Sequence, residues 1–389
     1  MLSYFLTATL VTLVTHLWFE RRLVAASEIP PRWAWSLRAL LVANVLLLPG
    51  ALVLCLRARA SWSGWAVPLG RVAFLDVGLC LLLVTALGAR DGVWLAARAA
   101  RRVVRAASAK PDLERRRFVL RATGVAVAGV AVAATGVAHA NAIALPEIRR
   151  VPLRIAGLPP GLAGLRIVQI SDLHVGPTLR RDTVAAVVAH VNALTPDLIV
   201  ITGDLIDGFV DQLAPELTAL AELRAPLGCF FVTGNHEYFY RADEWVDFLR
   251  GLGCTVLVNE HRVVERGGAR FLLAGVCDES GAEHLTAHRH DLDAALAGAP
   301  DVDVRLLLAH RPDCAPRAAA RGFDAQLSGH LHGGQLFPMT ALLRATLPYI
   351  AGVYDVAGMQ LYVSRGAGYW GPSLRLGAPH EIALVELVP

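Results

Sequence analysis

Lysine is almost missing from this chain of 389 residues: Lys110 is the single one, and the other 36 basic residues are arginine. The arginines flank apolar runs, which argues against a polybasic nucleic-acid arm, so no nucleic-acid partner is expected. Charge is scarce as well. Charged residues make up 18% against 55% hydrophobic. Disorder needs the opposite balance and is excluded, and a purely cytosolic enzyme fits poorly. The six cysteines form no C-x-x-C pair, which excludes a zinc ribbon or a thioredoxin-type motif. Cys55 and Cys80 lie in apolar runs. Cys229, Cys254, Cys277 and Cys314 read as buried thiols, which behave as small hydrophobes. Export would leave disulfides open to them.

The charge that is present is unevenly placed. Residues 1–149 carry 18 basic and 7 acidic residues, and residues 150–389 carry 19 and 26. An apolar, basic first part and an acidic second part suggest a membrane anchor followed by a soluble domain. A bilayer core about 30 Å thick needs roughly 20 apolar residues in a helix. Four runs approach that length: 1–19, 39–56, 72–89 and 122–141. They predict an anchor region over 1–145 and a linker over 146–163. The loop 90–121 is the most basic part, with Arg90, Arg98, Arg101, Arg102, Arg105, Lys110 and Arg115-Arg116-Arg117. The positive-inside rule makes it cytoplasmic and sends everything after the fourth run to the outer face. Arg57, Arg59 and Arg71 then fall outside, against the rule. Arg115-Arg116-Arg117-Phe118-Val119-Leu120 and Ala138-His139-Ala140 read either as an export signal of twin-arginine type with a cleavage site or as ordinary anchors. Asp76, near the end of its run, reads as an intramembrane functional acid or as a residue that snorkels or pairs helices.

From residue 164 the pattern changes to short apolar strands separated by amphipathic helices, the order of a parallel α/β sheet. Strands are expected at 165–170, 198–202, 229–233, 255–258, 270–276, 304–309, 325–328, 360–364 and 382–387. Helices are expected at 183–194 and 213–223. Polar clusters follow the strands, where such sheets bind ligands. They are Ser171-Asp172-Leu173-His174, Gly203-Asp204-Leu205-Ile206-Asp207, Gly234-Asn235-His236-Glu237, His310, and Gly329-His330-Leu331-His332-Gly333-Gly334. So many imidazoles and carboxylates are costly to bring together unless a cation compensates them.

These motifs, in this order, resemble the calcineurin-like metallophosphoesterase superfamily, over roughly residues 150–389. Gly329 to Gln335 and Ser364-Arg365-Gly366-Ala367-Gly368 resemble a bacterial membrane-anchored subgroup. The resemblance implies a four-layer αββα sandwich over 164–389 and a dinuclear metal site. Asp172, His174 and His332 would bind one ion, Asn235, His310 and His330 the other, and Asp204 would bridge both. His236 would be the catalytic histidine. Imidazole and oxygen ligands without thiolate suit two Mn, Fe or Zn ions. The implied reaction is hydrolysis of a phosphomono- or phosphodiester by in-line attack of a metal-bridging hydroxide.

Other residues receive lesser roles. Asp207 and Glu237 are expected to hold loops or orient ligands, and Arg311 to be a surface residue more than a phosphate contact. Gly366 to Gly371 fits G-x-G-x-x-G, but Pro372 follows and no helix is signalled, so it is not read as a dinucleotide site. His284, His288 and His290 read as solvated. The apolar segment 336–353 follows the Gly-His-x-His loop and faces either a bilayer or acyl chain, or simply the core. A lipid or cell-envelope phosphoester is the substrate expected under the first reading. The competing function is a membrane sensor or scaffold with a non-catalytic domain; a transporter fits less, for want of paired intramembrane charges.

Overall fold

The computed structural model describes residues 2–25, 30–57, 66–103 and 113–389. It divides into two units, residues 1–140 with 372–374, and residues 141–371 with 375–389.

The first unit is helical: α1 Leu2–Phe19, α2 Pro31–Arg57, α3 Ala66–Val103 and α4 Leu113–Ile143. Arg38 pairs with Glu20 at 2.9 Å, and Arg22 reaches Asp91 at 3.1 Å, so ion pairs tie α1's end to α2 and α3. Four membrane-length runs were expected. Among the described residues two helices are long and apolar enough to cross a membrane, Pro68–Ala100 and Arg117–Ile143. The run 1–19 forms α1, in which the side chains of 1–6 and 8 lie outside the described residues. The run 39–56 falls in α2, in which the side chains of 46–57 lie outside the described residues. The expected basic loop is also revised. α3 continues through Arg90 and Arg98 to Val103, because alanine and arginine are strong helix formers. Residues 104–112 lie outside the described residues, and Arg115 to Arg121 sit on α4. Ala138-His139-Ala140 is helical as well.

The second unit holds twelve strands: β1 Glu147–Arg154, β2 Arg166–Ile170, β3 Leu198–Thr202, β4 Cys229–Val232, β5 Thr255–Val256, β6 Glu260–Arg266, β7 Ala269–Gly275, β8 Val304–Leu308, β9 Ala325–Ser328, β10 Gly352–Val356, β11 Met359–Val363 and β12 Glu381–Val388. They form two six-stranded sheets, ordered β1-β12-β2-β3-β4-β5 and β10-β11-β9-β8-β7-β6. One core joins their facing sides. Ile167, Leu198, Val200 and Val385 of the first sheet pack with Phe271, Leu273, Leu306 and Leu327 of the second. Gln169 crosses it, donating to Thr202 Oγ1 at 2.8 Å and to the Ser328 carbonyl at 2.9 Å. Helices cover the outer faces. α5 Arg181–Ala193 buries Val184, Val187, Val188 and Val191, the i, i+3, i+4, i+7 stripe of an amphipathic helix. Each valine contributes about 1.5–3 kcal/mol by burial.

The sheets are mixed rather than parallel throughout. β12 runs antiparallel to β2 and parallel to β1, and β6 and β10 are antiparallel edges. The stretch read as a linker, 146–163, contains β1. Arg149, Arg150 and Arg154 lie on its solvent-facing positions and leave only Val151 and Leu153 buried, which masks the strand signal. Cys254, Cys277 and Cys314 are buried free thiols. Cys229 is half-buried, with its Sγ 3.6 Å from that of Cys254.

Candidate metal centre

β2, β3 and β4 pair in parallel register, so their carboxyl ends align on one edge. There the chain leaves each strand through a short polar loop. Asp172 follows β2, Asp204 follows β3, and Asn235 opens α6 Asn235–Phe239 after β4. The second sheet presents His310 after β8, and His330 and His332 after β9.

These loops are bent sharply. Asp172, His174, Asp204, His330 and His332 all have positive φ, between 51° and 76°. Such a conformation costs a non-glycine residue on the order of 1–3 kcal/mol and persists only where the surroundings enforce it. Glycines let the loops meet. A Cβ on Gly329 would strike Ser171 and the Asp172 carboxylate, and one on Gly234 would strike Asp204.

Two groups of donors result. Asp172, His174 and His332 converge in one, and Asp204, His310 and His330 in the other, each with its ligand atoms within 4.8 Å of one another. His174 Nε2 faces His332 Nε2 at 3.0 Å, and His310 Nε2 faces His330 Nδ1 at 3.1 Å. Asp204 stands between the groups. Its Oδ2 is 3.2 Å from His310 Nε2 and 3.9 Å from His174 Nε2. Asn235 is buried, and its Oδ1 has no hydrogen-bond partner. An orphaned buried oxygen is costly unless a ligand satisfies it. Convergent imidazoles, two carboxylates and this free oxygen fit a pair of divalent cations with nitrogen and oxygen preference.

The remaining residues orient these donors. Asp207 accepts from His174 Nδ1 at 3.0 Å and from His236 Nδ1 at 2.6 Å, which turns both Nε2 atoms away from Asp207. His310 Nδ1 donates to the Thr202 carbonyl at 2.8 Å. His236 Nε2 lies 3.9 Å from Asp204 Oδ2, flanked by the rings of Phe239 and Trp370.

The electrostatics follow from burial. Desolvation opposes ionisation of Asp204, but His310 and His236 outweigh it and hold its carboxyl well below the usual range. Desolvation likewise opposes the His236 imidazolium, yet Asp204 and Asp207 push its pKa up to about 9. His330 is pushed down to about 3 by burial and the His310 charge. His332 is also held low, by burial and then by Arg375. His330 and His332 are therefore neutral and present lone pairs, the form a metal requires.

Glu237 acts on the backbone. Its carboxylate accepts N–H groups from Gly234 at 2.6 Å, Leu205 at 2.8 Å and Asp204 at 3.0 Å, locking the two loops that carry Asp204 and Asn235. Glu237→Ala strands three buried donors and is expected to cost about 3 kcal/mol or more. Urea unfolding of the two proteins measures it, and a loss under 1 kcal/mol would contradict this role.

Other expectations change. Arg311 is half-buried rather than a free surface residue, and its Nε ion-pairs with buried Asp278 at 2.8 Å. His288 Nδ1 meets Tyr238 OH at 3.1 Å, His284 stacks on the Tyr238 ring, and His290 Nδ1 donates to the Cys277 carbonyl at 2.9 Å. His284 is exposed, as expected of a solvated residue, whereas His288 and His290 are half-buried and hydrogen-bonded. The Gly366–Gly371 loop braces the site, with Ala367 N–H donating to Ser171 and Gly368 N–H to Asp172. Two further buried charged residues lie beside these donors, Asp278 and Arg375. Asp278 sits just past β7, where the strand-end rule would have found it. Arg375 donates to the carbonyls of His332 at 2.9 Å and Gly368 at 3.0 Å, and its Nη2 lies 2.9 Å from His332 Nδ1. No sequence signal marks it.

This two-sheet fold with histidine and aspartate loops on aligned strand ends defines a metallophosphoesterase. The sequence profile of the calcineurin-like phosphoesterase family matches residues 165–334, and the chain belongs to that family. An Aquifex aeolicus protein called an uncharacterized metallophosphoesterase is 35% identical over 62% of this chain and 91% of its own. A Bos taurus protein called a transmembrane protein with metallophosphoesterase domain is 40% identical over 64% of this chain and 58% of its own. A Helicobacter pylori metallophosphoesterase is 37% identical over 64% and 65%. The chain thus spans about three fifths of the length of the last two.

Proposed function

We propose that the chain is a membrane-anchored phosphoesterase that hydrolyses a phosphomono- or phosphodiester at a dinuclear metal site. The observation that carries this reading is the convergence of two donor groups on Asp204 with His236 beside them. In this reading Asp172, His174 and His332 hold one ion, Asn235, His310 and His330 the other, and Asp204 both. Two bound divalent ions supply Lewis-acid charge stabilisation and acidify water at neutral pH. His236, oriented by Asp207, delivers a proton to the leaving oxygen or stabilises the charge that develops there.

The substrate is a lipid or cell-envelope phosphoester. Support comes from apolar side chains around His236: Phe239 is 53% exposed and Trp370 57%. Phe337, Leu342, Leu347 and Val353 are exposed on the segment after the Gly-His-x-His loop. The two membrane-length helices support anchoring, and the arginine distribution supports an extracytoplasmic catalytic domain of a bacterial membrane. Purified full chain with added Mn²⁺ is expected to cleave chromogenic phosphoesters, to lose that activity on chelation, and to cleave lipid phosphoesters faster than water-soluble nucleotide esters. No metal-dependent cleavage of any ester would leave a scaffold role. Much faster cleavage of nucleotide esters would overturn the lipid assignment alone.

A further inference from the structure

A second cluster of ligand-type side chains lies in the helical unit, apart from the phosphoesterase motifs. His16 of α1, Asp76 and Cys80 of α3 bring one ligand atom each within 4.8 Å of the others. His16 is buried at 4% exposure. Asp76 and Cys80 are four residues apart and so share one face of α3. The Cys80 thiol donates to Asp76 Oδ2 at 3.6 Å. Asn44 of α2 borders the cluster, its Nδ2 donating to His16 Nε2 at 3.3 Å.

The tautomer of His16 is determined. Its Nδ1 lies 2.8 Å from the Thr12 carbonyl, which only accepts, so Nδ1 carries the proton. Nε2 is then the lone-pair nitrogen, and it accepts from Asn44 Nδ2 beside the cluster. A neutral imidazole held by a backbone carbonyl through its other nitrogen is the usual form of a metal ligand.

We propose that His16, Asp76 and Cys80 form a further metal site of the chain, selective for Zn²⁺ and completed by a water, with the Asn44 side chain giving up its hydrogen bond to His16 Nε2 when the ion binds. Three physical arguments support it. The first is charge. A carboxylate and a thiolate together cancel a divalent cation, and a neutral complex is the cheapest arrangement in an apolar helical setting. The second is ligand chemistry. One nitrogen, one oxygen and one sulfur ligand in a tetrahedral set suit zinc, whereas the centre built on Asp204 offers no sulfur. The third is distance. Zinc bonds of roughly 2.3 Å to sulfur and 2.0 Å to oxygen, at tetrahedral angles, separate the two ligand atoms by about 3.5 Å. The Sγ to Oδ2 separation of 3.6 Å already matches this. A Cys–His–Asp nucleophile is the rival reading of the same residues. It requires the imidazole beside the thiol, but here the carboxylate occupies that place and His16 Nε2 faces Asn44.

Cobalt(II) reports on this site selectively, because a sulfur-to-cobalt charge-transfer band in the near ultraviolet needs a thiolate ligand. Detergent-purified full chain loaded with Co²⁺ is expected to show the band. Cys80→Ala is expected to abolish it and to lower bound zinc by one ion per chain after dialysis, while Cys229→Ser leaves both unchanged. Absence of the band in the wild type, or its survival in Cys80→Ala, would overturn the proposal. A measurement on the wild type alone guards against a variant that fails to fold. Maleimide labelling of Cys80, read by peptide mass, should be suppressed at least tenfold by Zn²⁺ and restored by a chelator. Equal labelling in both states would refute the site.

Discussion

Asp204→Asn is expected to reduce phosphoesterase kcat at least 10³-fold and to lower the bound Mn²⁺ of the catalytic domain. The substitution conserves shape and removes only the negative charge. That charge is what the site is organised around. Asp204 is fully buried, and its Oδ2 lies within 3.2 Å of one imidazole and 3.9 Å of two others. Its other oxygen accepts the His236 backbone N–H at 2.8 Å. An amide keeps one acceptor oxygen but cannot balance two cations at once. Each decade of rate corresponds to about 1.4 kcal/mol, so 10³-fold is about 4 kcal/mol, a typical loss of electrostatic stabilisation in a water-excluded site. Steady-state kinetics with elemental analysis of the purified variant measure both effects. Activity and metal content equal to wild type would remove Asp204 from the bridging position.

His236→Ala is expected to reduce kcat 10²- to 10⁴-fold, the range for loss of a positioned acid or base, with metal content unchanged. The contrast with Asp204→Asn lies in the second readout. His236 groups with His174 and Asp207 rather than with Asp204, and its Nδ1 is held by Asp207 at 2.6 Å. Asp204 and Asp207 overcome its burial and push its pKa up to about 9. Its side chain is therefore placed to supply a proton rather than to hold an ion. Loss of bound Mn²⁺ in His236→Ala would show that the ring is a ligand instead.

The candidate site was legible in the sequence because it is written in short local strings. Buried strands show as apolar runs, and the residues at their ends were polar where packing alone would not require it. Asp172, His174, Asp204, Asn235, His310, His330 and His332 all belong to such strings, and the fold collects them on two adjoining sheet edges. Glu237 shared a string with Asn235, but its grip on three backbone N–H groups depends on how two loops approach each other. Arg375 carried no such context, although Asp278 did, just past β7. Their importance comes from burial against Arg311 and His332, which are distant in the chain.

The helical part shows the same limit. Hydropathy found its apolar runs, while the extent of α3 depended on alanine and arginine propensity that the charge count obscured. Asp76 read as a lone acid, and only helix packing brought His16 and Cys80 to it.

By itself, then, the sequence determined the class of fold, the catalytic motifs and their order, since these rest on periodicity and residue chemistry along neighbouring positions. Tertiary structure alone decided that β12 lies between β1 and β2, that five ligand residues take positive φ, and that Asp204 stands between two donor groups. Those features arise from contacts between segments separated by tens to hundreds of residues, whose energies no local pattern encodes.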